Sequence, residues 1–533
     1  MSRPFIITSG AYVDSELVAE FGLLPPAFLP LGNRRLFARQ YQALKPFASR
    51  IILTVPDHFV LDPIDEAHLA TLDIEIVGIP EGLTLGQSVV YAINATACGH
   101  GAVSILHGDS LHTELSYDAV DAVSVTKSLP PPGYSWAWAR RTEAGVRIFD
   151  PDHVPDPTDM ALTGFFSVSD GARLVQAITR NGSDFIAGLA EYASIVPLQT
   201  LASGHWFDFG HCSTYHRSRR EMTTEREFNR LSTAGRSITK SGRNPDKLLA
   251  EALWYENLPP ALRIYTPSYL GRSEQDAGVS YSLEYLHLPS LADLAVFGRL
   301  PLTAWRRIFD SCDEALSALA LRQGSAESLV SARSLLCDKT LRRLEQLAAS
   351  RSLSLTTPCR LGTRSLPPLA KIAETVAGLV TEPERATLIH GDFCFSNILY
   401  DMRADIVRMI DPRGMDANGT ISNFGDIRYD IAKLYHSAVG LYDHIMAGNY
   451  SFDRRGDLDF ELELPDTYEV QLIRDEFLTH EFAGLTITAA KALPIAILLF
   501  LSMPPLHSDD PQRQLALLAN GLRLFDLLDR TGS

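Results

Sequence analysis

Short β-branched runs alternate with helical patterns in the N-terminal part of the chain, and this alternation limits the possible folds more than any other feature. The runs comprise residues 4–8, 50–55, 73–79 and 102–106. A helical pattern such as that of residues 87–97 separates one run from the next. Strands that alternate with helices are typical of a mostly parallel sheet with helices on both faces. The sequence therefore predicts an α/β fold for this part.

The pattern changes after this alternation. Residues 135–149 predict a β-hairpin with its turn near Gly145, and a strand over 165–168 precedes a helix over 170–179. The charged stretch SRREMTTERE at 218–227 then marks a domain boundary.

The C-terminal part begins with a small β-rich segment and continues with long helices. Helical spacing is clearest over 369–380, 472–488 and 515–528. We therefore predict one domain over residues 1–220 and a second, α+β domain over residues 221–533. The second divides into a small lobe, about 221–290, and a large helical lobe, about 291–533.

Charge and hydropathy exclude several classes of function. Lys and Arg number 48 against 64 Asp and Glu, so the net charge is −16. Such a chain is poorly suited to following a nucleic-acid backbone or an anionic membrane. The most apolar run, 492–503, is too short for a helix across about 30 Å of hydrocarbon and predicts a buried core helix.

The cysteines and the N-terminus bear on the compartment. The six cysteines form no CxxC pair and no metal-ligand spacing, which predicts reduced thiols. Residues 1–9 lack the basic segment and the long apolar stretch of a signal peptide. We expect a cytoplasmic protein without a nucleic-acid partner or membrane insertion; the sequence leaves its oligomeric state open.

The most specific motif lies in the C-terminal part. Residues 387–401 read TLIHGDFCFSNILYD and residues 407–414 read VRMIDPRG. Asp392 and Asn397 are five residues apart, and Asp411 follows 14 residues later, after an apolar strand. Phosphoryl transfer to a hydroxyl needs a carboxylate that accepts the hydroxyl proton and oxygen ligands that hold Mg²⁺ on the nucleotide phosphates. An aspartate, an amide five residues later and a second aspartate after the next strand supply the proton acceptor and the metal ligands.

The motif resembles the catalytic and metal loops of the aminoglycoside phosphotransferase/choline kinase group, which has the protein-kinase-like fold. The resemblance implies that Asp392 is the catalytic base and that Asn397 and Asp411 bind Mg²⁺. Residues 237–259 resemble the small-lobe strand and helix of the group. There Lys240 would contact the ATP phosphates and Glu251 would hold Lys240.

One alternative lysine and two further segments bear on this resemblance. Lys247 competes with Lys240, although it lies inside the predicted helix, where a solvated lysine is expected. Residues 282–294 resemble the hinge where adenine binds to the backbone. Residues 425–436, GDIRYDIAKLYH, resemble the segment that braces the large lobe, so we interpret Asp426, Arg428 and Asp430 as structural. No GxGxxG loop precedes Lys240.

The N-terminal part carries a second motif. Residues 9–36 read SGAYVDSELVAEFGLLPPAFLPLGNRRL and resemble the opening of nucleotidyltransferases that activate sugars or small alcohols, which have a Rossmann-like fold. The resemblance implies that the loop at Gly10 receives a nucleoside triphosphate of unknown base. The usual GxGxR arginine is missing, and Pro26 stands where a lysine is expected. Arg34 and Arg35 are the nearest basic candidates for phosphate binding.

Two acidic segments extend this second resemblance. Residues 105–111, ILHGDSL, match the Gly-Asp pair that binds metal in the family, which implies Asp109 as a ligand. Residues 204–215, GHWFDFGHCSTY, resemble its W-x-D-x-G segment, which implies Asp208 as the second ligand. Two carboxylates at strand ends can hold one Mg²⁺.

Together the two resemblances imply a bifunctional enzyme. The C-terminal domain would phosphorylate a small alcohol or sugar with ATP, and the N-terminal domain would couple the phosphate ester to an NTP and release pyrophosphate. The product would be a nucleotide-activated precursor for surface polysaccharide or capsule. Two alternatives remain open: a kinase with a degenerate N-terminal binding module, and a scaffold without activity. The acceptor and the base of the NTP are not defined by the sequence.

Overall fold

The chain divides into two compact units, Met1–Met222 and Thr223–Ser533. The computed structural model describes residues 3–128, 134–222, 225–226, 229–234, 236–242, 244–275, 278–325, 328, 338–380, 385–416 and 418–531.

The N-terminal unit is an α/β domain. Its strands are β1 (Arg3–Thr8), β2 (Ala48–Pro56), β3 (Ile74–Ile79), β4 (Val103–His107), β5 (Ser110–Thr113), β6 (Ala122–Thr126), β7 (Trp138–Thr142), β8 (Gly145–Phe149), β9 (Met160–Val168), β10 (Gln199–Ala202) and β11 (His205–Asp208). Its helices are α1 (Ser15–Phe21), α2 (Leu36–Leu44), α3 (Pro63–Thr71), α4 (Leu85–Ala95), α5 (Gly171–Arg180), α6 (Phe185–Ile195) and α7 (Cys212–Met222).

The main sheet runs in the order β10-β6-β9-β4-β1-β2-β3. The pairs β1–β2, β1–β4, β2–β3 and β6–β10 are parallel, whereas β9 is antiparallel to both its neighbours. The prediction of a mostly parallel sheet is confirmed, and β7 and β8 form the predicted hairpin. Strand β9 is buried along its whole length, so it forms the centre of the core.

Strands β5 and β11 pair antiparallel outside this sheet, with Asp208 opposite Ser110. This pairing brings the end of β11 to the turn that follows β4. Two acidic segments about 100 residues apart in sequence therefore meet at the carboxyl end of the parallel strands, where open α/β sheets bind their ligands.

The C-terminal unit has a small antiparallel sheet followed by a mainly helical region. Its strands are β12 (Glu225–Arg226), β13 (Asn229–Ala234), β14 (Ser237–Gly242), β15 (Tyr269–Gln275), β16 (Gly278–Glu284), β17 (Pro358–Leu361), β18 (Arg364–Pro368), β19 (Thr387–Leu388), β20 (Ile398–Asp401), β21 (Ile406–Met409), β22 (Phe424–Gly425), β23 (Ser451–Gly456), β24 (Asp459–Glu463), β25 (Glu481–Phe482) and β26 (Leu485–Thr486). Its helices are α8 (Pro245–Glu256), α9 (Leu291–Phe297), α10 (Leu302–Ala320), α11 (Lys339–Arg351), α12 (Leu369–Leu379), α13 (Ile427–Ala438), α14 (Tyr442–Ala447), α15 (Tyr468–Thr479), α16 (Ala492–Ser502) and α17 (Pro511–Thr531).

The small sheet has the order β12-β13-β14-β16-β15, and α8 packs on β16. A second sheet, β18-β17-β24-β23, lies in the helical region and was not predicted. The predicted helix over 472–488 is wrong in its second half. Helix α15 ends at Thr479, and a short hairpin follows whose turn has a positive φ at Ala483 and Gly484. A continuous helix cannot include such a turn.

Helix α16 is buried over nearly its whole length, as the apolar run predicted, and packs against α17, α13 and α12. Among the described residues, no helix combines the length and the apolarity that crossing a bilayer requires. The cysteines within the described ranges carry free thiols: Cys98, Cys212, Cys312, Cys359 and Cys394. Cys337 lies outside those ranges.

Candidate functional site

A buried lysine in the C-terminal unit lies between two carboxylates. Lys240 is on β14, and its Nζ is 2.7 Å from Oε2 of Glu251 on α8 and 3.0 Å from Oδ1 of Asp411. The Tyr281 hydroxyl donates to the same Glu251 oxygen at 2.7 Å. Burial alone would lower the pKa of Lys240, but Asp411 and Glu251 outweigh burial and raise it. The ammonium is therefore charged and fixed in position.

The competing lysine has a different environment. Lys247 lies on the surface of α8, and its side chain is 56% exposed. Its Nζ is 3.7 Å from Oε1 of Glu251. Lys240 binds the other oxygen of this carboxylate, Oε2, at 2.7 Å, so Lys240 has the closer contact.

The turn that carries Asp392 is held by one buried carboxylate. Asp430 on α13 accepts hydrogen bonds from the backbone N–H groups of His390 and Gly391, at 2.7 and 2.8 Å. Gly391 has a φ of +78°, and a Cβ there would approach the Cβ of Arg413 to 2.7 Å. The turn therefore depends on Gly391 for its backbone and on Asp430 for its hydrogen bonds, which agrees with the structural interpretation of the acidic residues in 425–436.

The Asp392 carboxylate has two side-chain partners. Its Oδ1 is 2.7 Å from Nζ of Lys433, and its Oδ2 accepts from Nδ2 of Asn397 at 3.0 Å. Burial would raise the pKa of Asp392, but Lys433 outweighs burial and holds that pKa well below its usual range. Asp392 is therefore ionised at neutral pH and can accept a hydrogen bond from a substrate hydroxyl.

Asn397 and Asp411 fit a Mg²⁺ site by their donor atoms. The Asn397 amide nitrogen donates hydrogen bonds to Asp392. No described residue donates to the amide oxygen of Asn397. Asp411 follows β21 with a φ of +55°, and the neighbouring Ile410 N–H donates to the Asn397 carbonyl at 2.9 Å. An amide oxygen and a carboxylate are thus brought together, and these are the ligands that Mg²⁺ prefers.

All five side chains that the kinase resemblance implicates line one cavity of about 620 Å³: Lys240, Glu251, Asp392, Asn397 and Asp411. A cavity of this size accommodates a nucleotide or a small ligand. The cavity also contains Lys433, which sequence reasoning missed. The available signal was its spacing: Lys433 is one helical turn after Asp430 on α13, so both side chains reach the Asp392 turn from the same helix face.

Asp430→Asn tests the role of this carboxylate. The amide can accept from only one of the two N–H groups, and its own NH₂ faces the other. We expect the free energy of unfolding to fall by about 1 kcal/mol, because one of the two buried backbone N–H groups loses its acceptor, and kcat to fall at least tenfold as the turn shifts. Urea denaturation and steady-state kinetics measure the two effects. Asp457→Asn, at an exposed side chain, is the matched control; an unchanged kcat in Asp430→Asn would contradict the positioning role.

A carboxylate pair forms the corresponding feature of the N-terminal unit. A Cβ added at Gly210 would lie 2.6 Å from Oδ2 of Asp109 and 3.4 Å from Oδ1 of Asp208, so both carboxylates border the small space that this glycine leaves. Asp208 is 6% exposed, and its Oδ2 is buried without a hydrogen-bond partner. Burial, together with the charge of Asp109, raises the pKa of Asp208 to about 6. Two close carboxylates with an orphaned buried oxygen fit a divalent cation.

The predicted phosphate ligands of this unit differ in their surroundings. Gly10 lies two residues after the end of β1, and a Cβ there would approach Cγ1 of Ile79 to 2.7 Å. Arg35 is buried and forms an ion pair with Asp65, with 2.7 Å between Nη2 and Oδ2. Arg34 is exposed, so only Arg34 of the two presents its side chain to solvent. Pro26 begins a short 3₁₀ turn, Pro26–Phe28.

Arg39 on α2 is a basic residue that sequence reasoning missed, and one of its terminal nitrogens would lie 3.7 Å from a Cβ at Gly32. Its Nε is buried without a hydrogen-bond partner, and burial together with Arg34 lowers its pKa. The adjacent Gln40 donates to the carbonyls of Gly108 and Ser110, at 3.1 and 2.9 Å. Helix α2 thus packs directly on the segment that carries Asp109. Arg39 lies one helical turn after Arg35, and no sequence motif included it.

No family model and no curated protein matches the sequence. Similar solved structures fall into two groups, nucleotidyltransferases on the N-terminal part and sugar or aminoglycoside kinases on the C-terminal part. The first includes the inositol-1-phosphate CTP transferase of T. maritima, with 14% identity and a TM-score of 0.33, covering 42% of this chain and 96% of that chain. The second includes a glucosamine kinase, with 14% identity and a TM-score of 0.31, covering 56% and 74%. It also includes an aminoglycoside-3'-phosphotransferase of type VIII, with 14% identity and a TM-score of 0.25, covering 57% and 97%.

Proposed function

We propose that the C-terminal unit is a Mg²⁺-dependent kinase that transfers the γ-phosphoryl group of ATP to a hydroxyl of a small alcohol or sugar. The observation that carries the proposal is the convergence, on one cavity, of a lysine paired with a glutamate and of an ionised aspartate beside an asparagine. Lys240 would bind the ATP phosphates, and Glu251 would keep its ammonium in place. In these roles the two residues would stabilise the charge that develops on the phosphoryl oxygens during transfer.

The proposed reaction conserves atoms and protons. The acceptor hydroxyl donates a hydrogen bond to Asp392, its oxygen bonds to the γ-phosphorus, and its proton passes to the carboxylate. The bond between the γ-phosphorus and the β–γ bridging oxygen breaks, and ADP leaves. Mg²⁺ at Asn397 and Asp411 would supply neutralisation of the phosphate charge. Lys433 holds Asp392 in its ionised form until the proton is transferred.

We further propose that the N-terminal unit is a nucleotidyltransferase that acts on the phosphate ester. An oxygen of the ester would attack the α-phosphorus of an NTP, and pyrophosphate would leave. Asp109 and Asp208 would hold the cation that neutralises the α-phosphate. Arg34, Arg39 and the loop at Gly10 are the groups proposed to bind the triphosphate in place of the family's missing arginine and lysine. The product would be a nucleotide-activated alcohol or sugar for surface polysaccharide, made in the cytoplasm.

The alternative is a kinase with a degenerate N-terminal module. It is favoured by Pro26 at the expected lysine position and by the engagement of Arg35 with Asp65. The bifunctional enzyme and the kinase with a degenerate N-terminal module differ in one product. Only the bifunctional enzyme releases pyrophosphate from an NTP when it is given the phosphate ester that the kinase makes.

The kinase proposal is tested by ADP release from MgATP with a panel of sugars, amino alcohols and polyols, including their carboxylated and phosphorylated forms. We expect at least one acceptor to give turnover that Asp392→Asn removes. The isolated product, offered with each NTP, then reports the N-terminal activity as pyrophosphate. Full-length protein that binds no MgATP would contradict the kinase proposal and favour a scaffold.

A further inference from the structure

A second cavity of about 510 Å³ adjoins the catalytic cavity of the C-terminal unit. The two cavities share Lys339, Arg343, Arg413, Met415 and Leu506 among their lining residues. Lys240 and Glu251 line only the first cavity. A ligand whose hydroxyl reaches Asp392 can therefore extend into the second cavity.

The second cavity is strongly basic in a chain whose net charge is −16. Lys339, Arg342, Arg343 and Arg413 line it against one carboxylate, Asp416. The Oδ1 of Asp416 accepts backbone hydrogen bonds from Asn418 and Thr420, at 2.8 and 2.9 Å, so it serves the turn that it begins. The charge of the cavity is therefore set by its cations.

Within the described part of the chain, none of these four cations forms an ion pair with a carboxylate. Arg343 donates to the Ser502 carbonyl at 3.2 Å, and Arg413 donates to the Tyr429 hydroxyl at 3.0 Å. Both partners are neutral, so neither offsets the positive charge. Arginines with neutral partners keep the capacity to bind an anion, and the planar guanidinium suits the two oxygens of a carboxylate or phosphate.

The positive charges of this wall lower the pKa of Lys339 and that of Arg343, whereas Tyr429 and Asp392 outweigh burial and raise the pKa of Arg413. Burial, together with the charges of Arg413, Arg343 and Lys433, lowers the pKa of Lys339 to about 5, while Asp392 opposes them. Burial and the neighbouring Arg413 and Arg342 also lower the pKa of Arg343, against Tyr429. Cations crowded in this way destabilise one another until an anion lies between them.

We propose that the acceptor of the kinase site carries an anionic group, a carboxylate or a phosphate, that binds Lys339, Arg342 and Arg343 while the accepting hydroxyl contacts Asp392. This inference rests on the proposed kinase function and defines its substrate class. It excludes cationic acceptors such as amino alcohols, because the second cavity would repel them.

The turnover test uses acceptors matched in all but charge: a hexose, the corresponding hexuronate and the hexose 6-phosphate, together with glycerol, glycerate and glycerol 3-phosphate. We expect the anionic members to have a kcat/KM for ADP release at least about 100-fold above that of their neutral partner. Comparing carboxylate with phosphate identifies which anion is used. Turnover of the neutral members alone would overturn this inference and leave the kinase proposal standing.

The residues are tested with the double variant Arg342→Gln/Arg343→Gln. We expect the KM for the anionic acceptor to rise at least about tenfold, while the KM for MgATP stays unchanged. Lys371→Gln removes an exposed cation from the neighbouring helix α12 and should change neither value. An increase in the KM for MgATP instead would assign the arginines to the nucleotide phosphates and overturn the inference.

A binding measurement decides the matter even if no acceptor of the panel is turned over. Inorganic phosphate is titrated calorimetrically into the full chain saturated with MgADP. We expect binding that the double variant weakens at least about tenfold and Lys371→Gln leaves intact. Equal affinity in the wild type and the double variant, or no binding in either, would contradict the anion site, whereas absent MgADP binding would contradict the kinase function itself.

Discussion

Asp392→Asn is expected to lower the kcat of acceptor-dependent ADP release by about 10³-fold, within the range that general base catalysis contributes. The amide keeps the size of the carboxylate and can still accept from Lys433, so the KM for MgATP should change by less than about threefold. The substitution removes the capacity to take the hydroxyl proton, together with the negative charge that pairs with Lys433 and the oxygen that accepts from Asn397. Steady-state kinetics with the acceptor identified in the panel measure both values.

The controls separate lost chemistry from lost structure. Asp457→Asn removes an exposed carboxylate and should keep wild-type kcat. Lys433→Met should also lower kcat, because the pKa of Asp392 rises when its buried counterion is removed; that loss should diminish as the pH is raised. The loss in Asp392→Asn should not respond to pH. If Asp392→Asn kept more than a tenth of the wild-type kcat with its fold intact, Asp392 would not be the base.

In the proposed kinase site, the contacts that residue spacing alone indicates are those set by local chain geometry. Lys240 and Glu251 are 11 residues apart on a strand and the helix that follows it, and their ion pair spans 2.7 Å. Asp392 and Asn397 belong to one turn and touch at 3.0 Å. Short separations of this kind leave the chain few alternative geometries, so the residue spacing carries the spatial information.

The residues that sequence reasoning missed depend on contacts between distant segments. Lys433 reaches Asp392 from 41 residues away because α13 packs behind the turn. Arg35 was a candidate phosphate ligand, yet it pairs with Asp65 because α3 is brought against α2. No local pattern distinguishes an arginine that faces a ligand from one that faces a buried carboxylate, since both follow the same helical spacing.

The same reasoning applies to the unpredicted elements of the fold. Strand β17 pairs with β24, which places Arg360 opposite Asp459, about 100 residues later in the chain. Each strand is short and gains its stability from that pairing, so neither shows a strong pattern of its own. The sequence signal was clear for α16, by contrast, because a helix buried on all sides must be apolar all round.

The double variant Asp109→Asn/Asp208→Asn is expected to reduce pyrophosphate release at least about 100-fold, because the neutral amides no longer neutralise a divalent cation on the α-phosphate. ADP release by the C-terminal unit should be unaffected, since Asp392 and its partners are untouched. Both activities are measured on the same full-length preparation. The kinase reaction therefore serves as the internal control for folding and concentration.

The free energy of unfolding provides a second readout for the carboxylate pair. We expect the substitution to raise this free energy, whereas pyrophosphate release falls. The pKa of Asp208 is raised to about 6 by burial and by Asp109, so in the absence of metal its charged form costs free energy at neutral pH. A carboxyl whose pKa is higher in the folded state than in the unfolded state stabilises the fold increasingly as the pH falls towards its unfolded pKa. Wild-type protein in EDTA should therefore gain stability between pH 7 and pH 4 at this site, and Asp208→Asn should be more stable at pH 7 by roughly 1–3 kcal/mol.

The combination of readouts discriminates between the possible roles of the pair. Lost pyrophosphate release with increased stability in EDTA indicates carboxylates that are kept close together for catalysis, at the expense of the fold. Lost release with lost stability indicates a structural pair whose removal disturbs the end of β11. Unchanged release, with an active kinase in the same tube, would leave the C-terminal unit as the source of all activity and the N-terminal unit as a binding module.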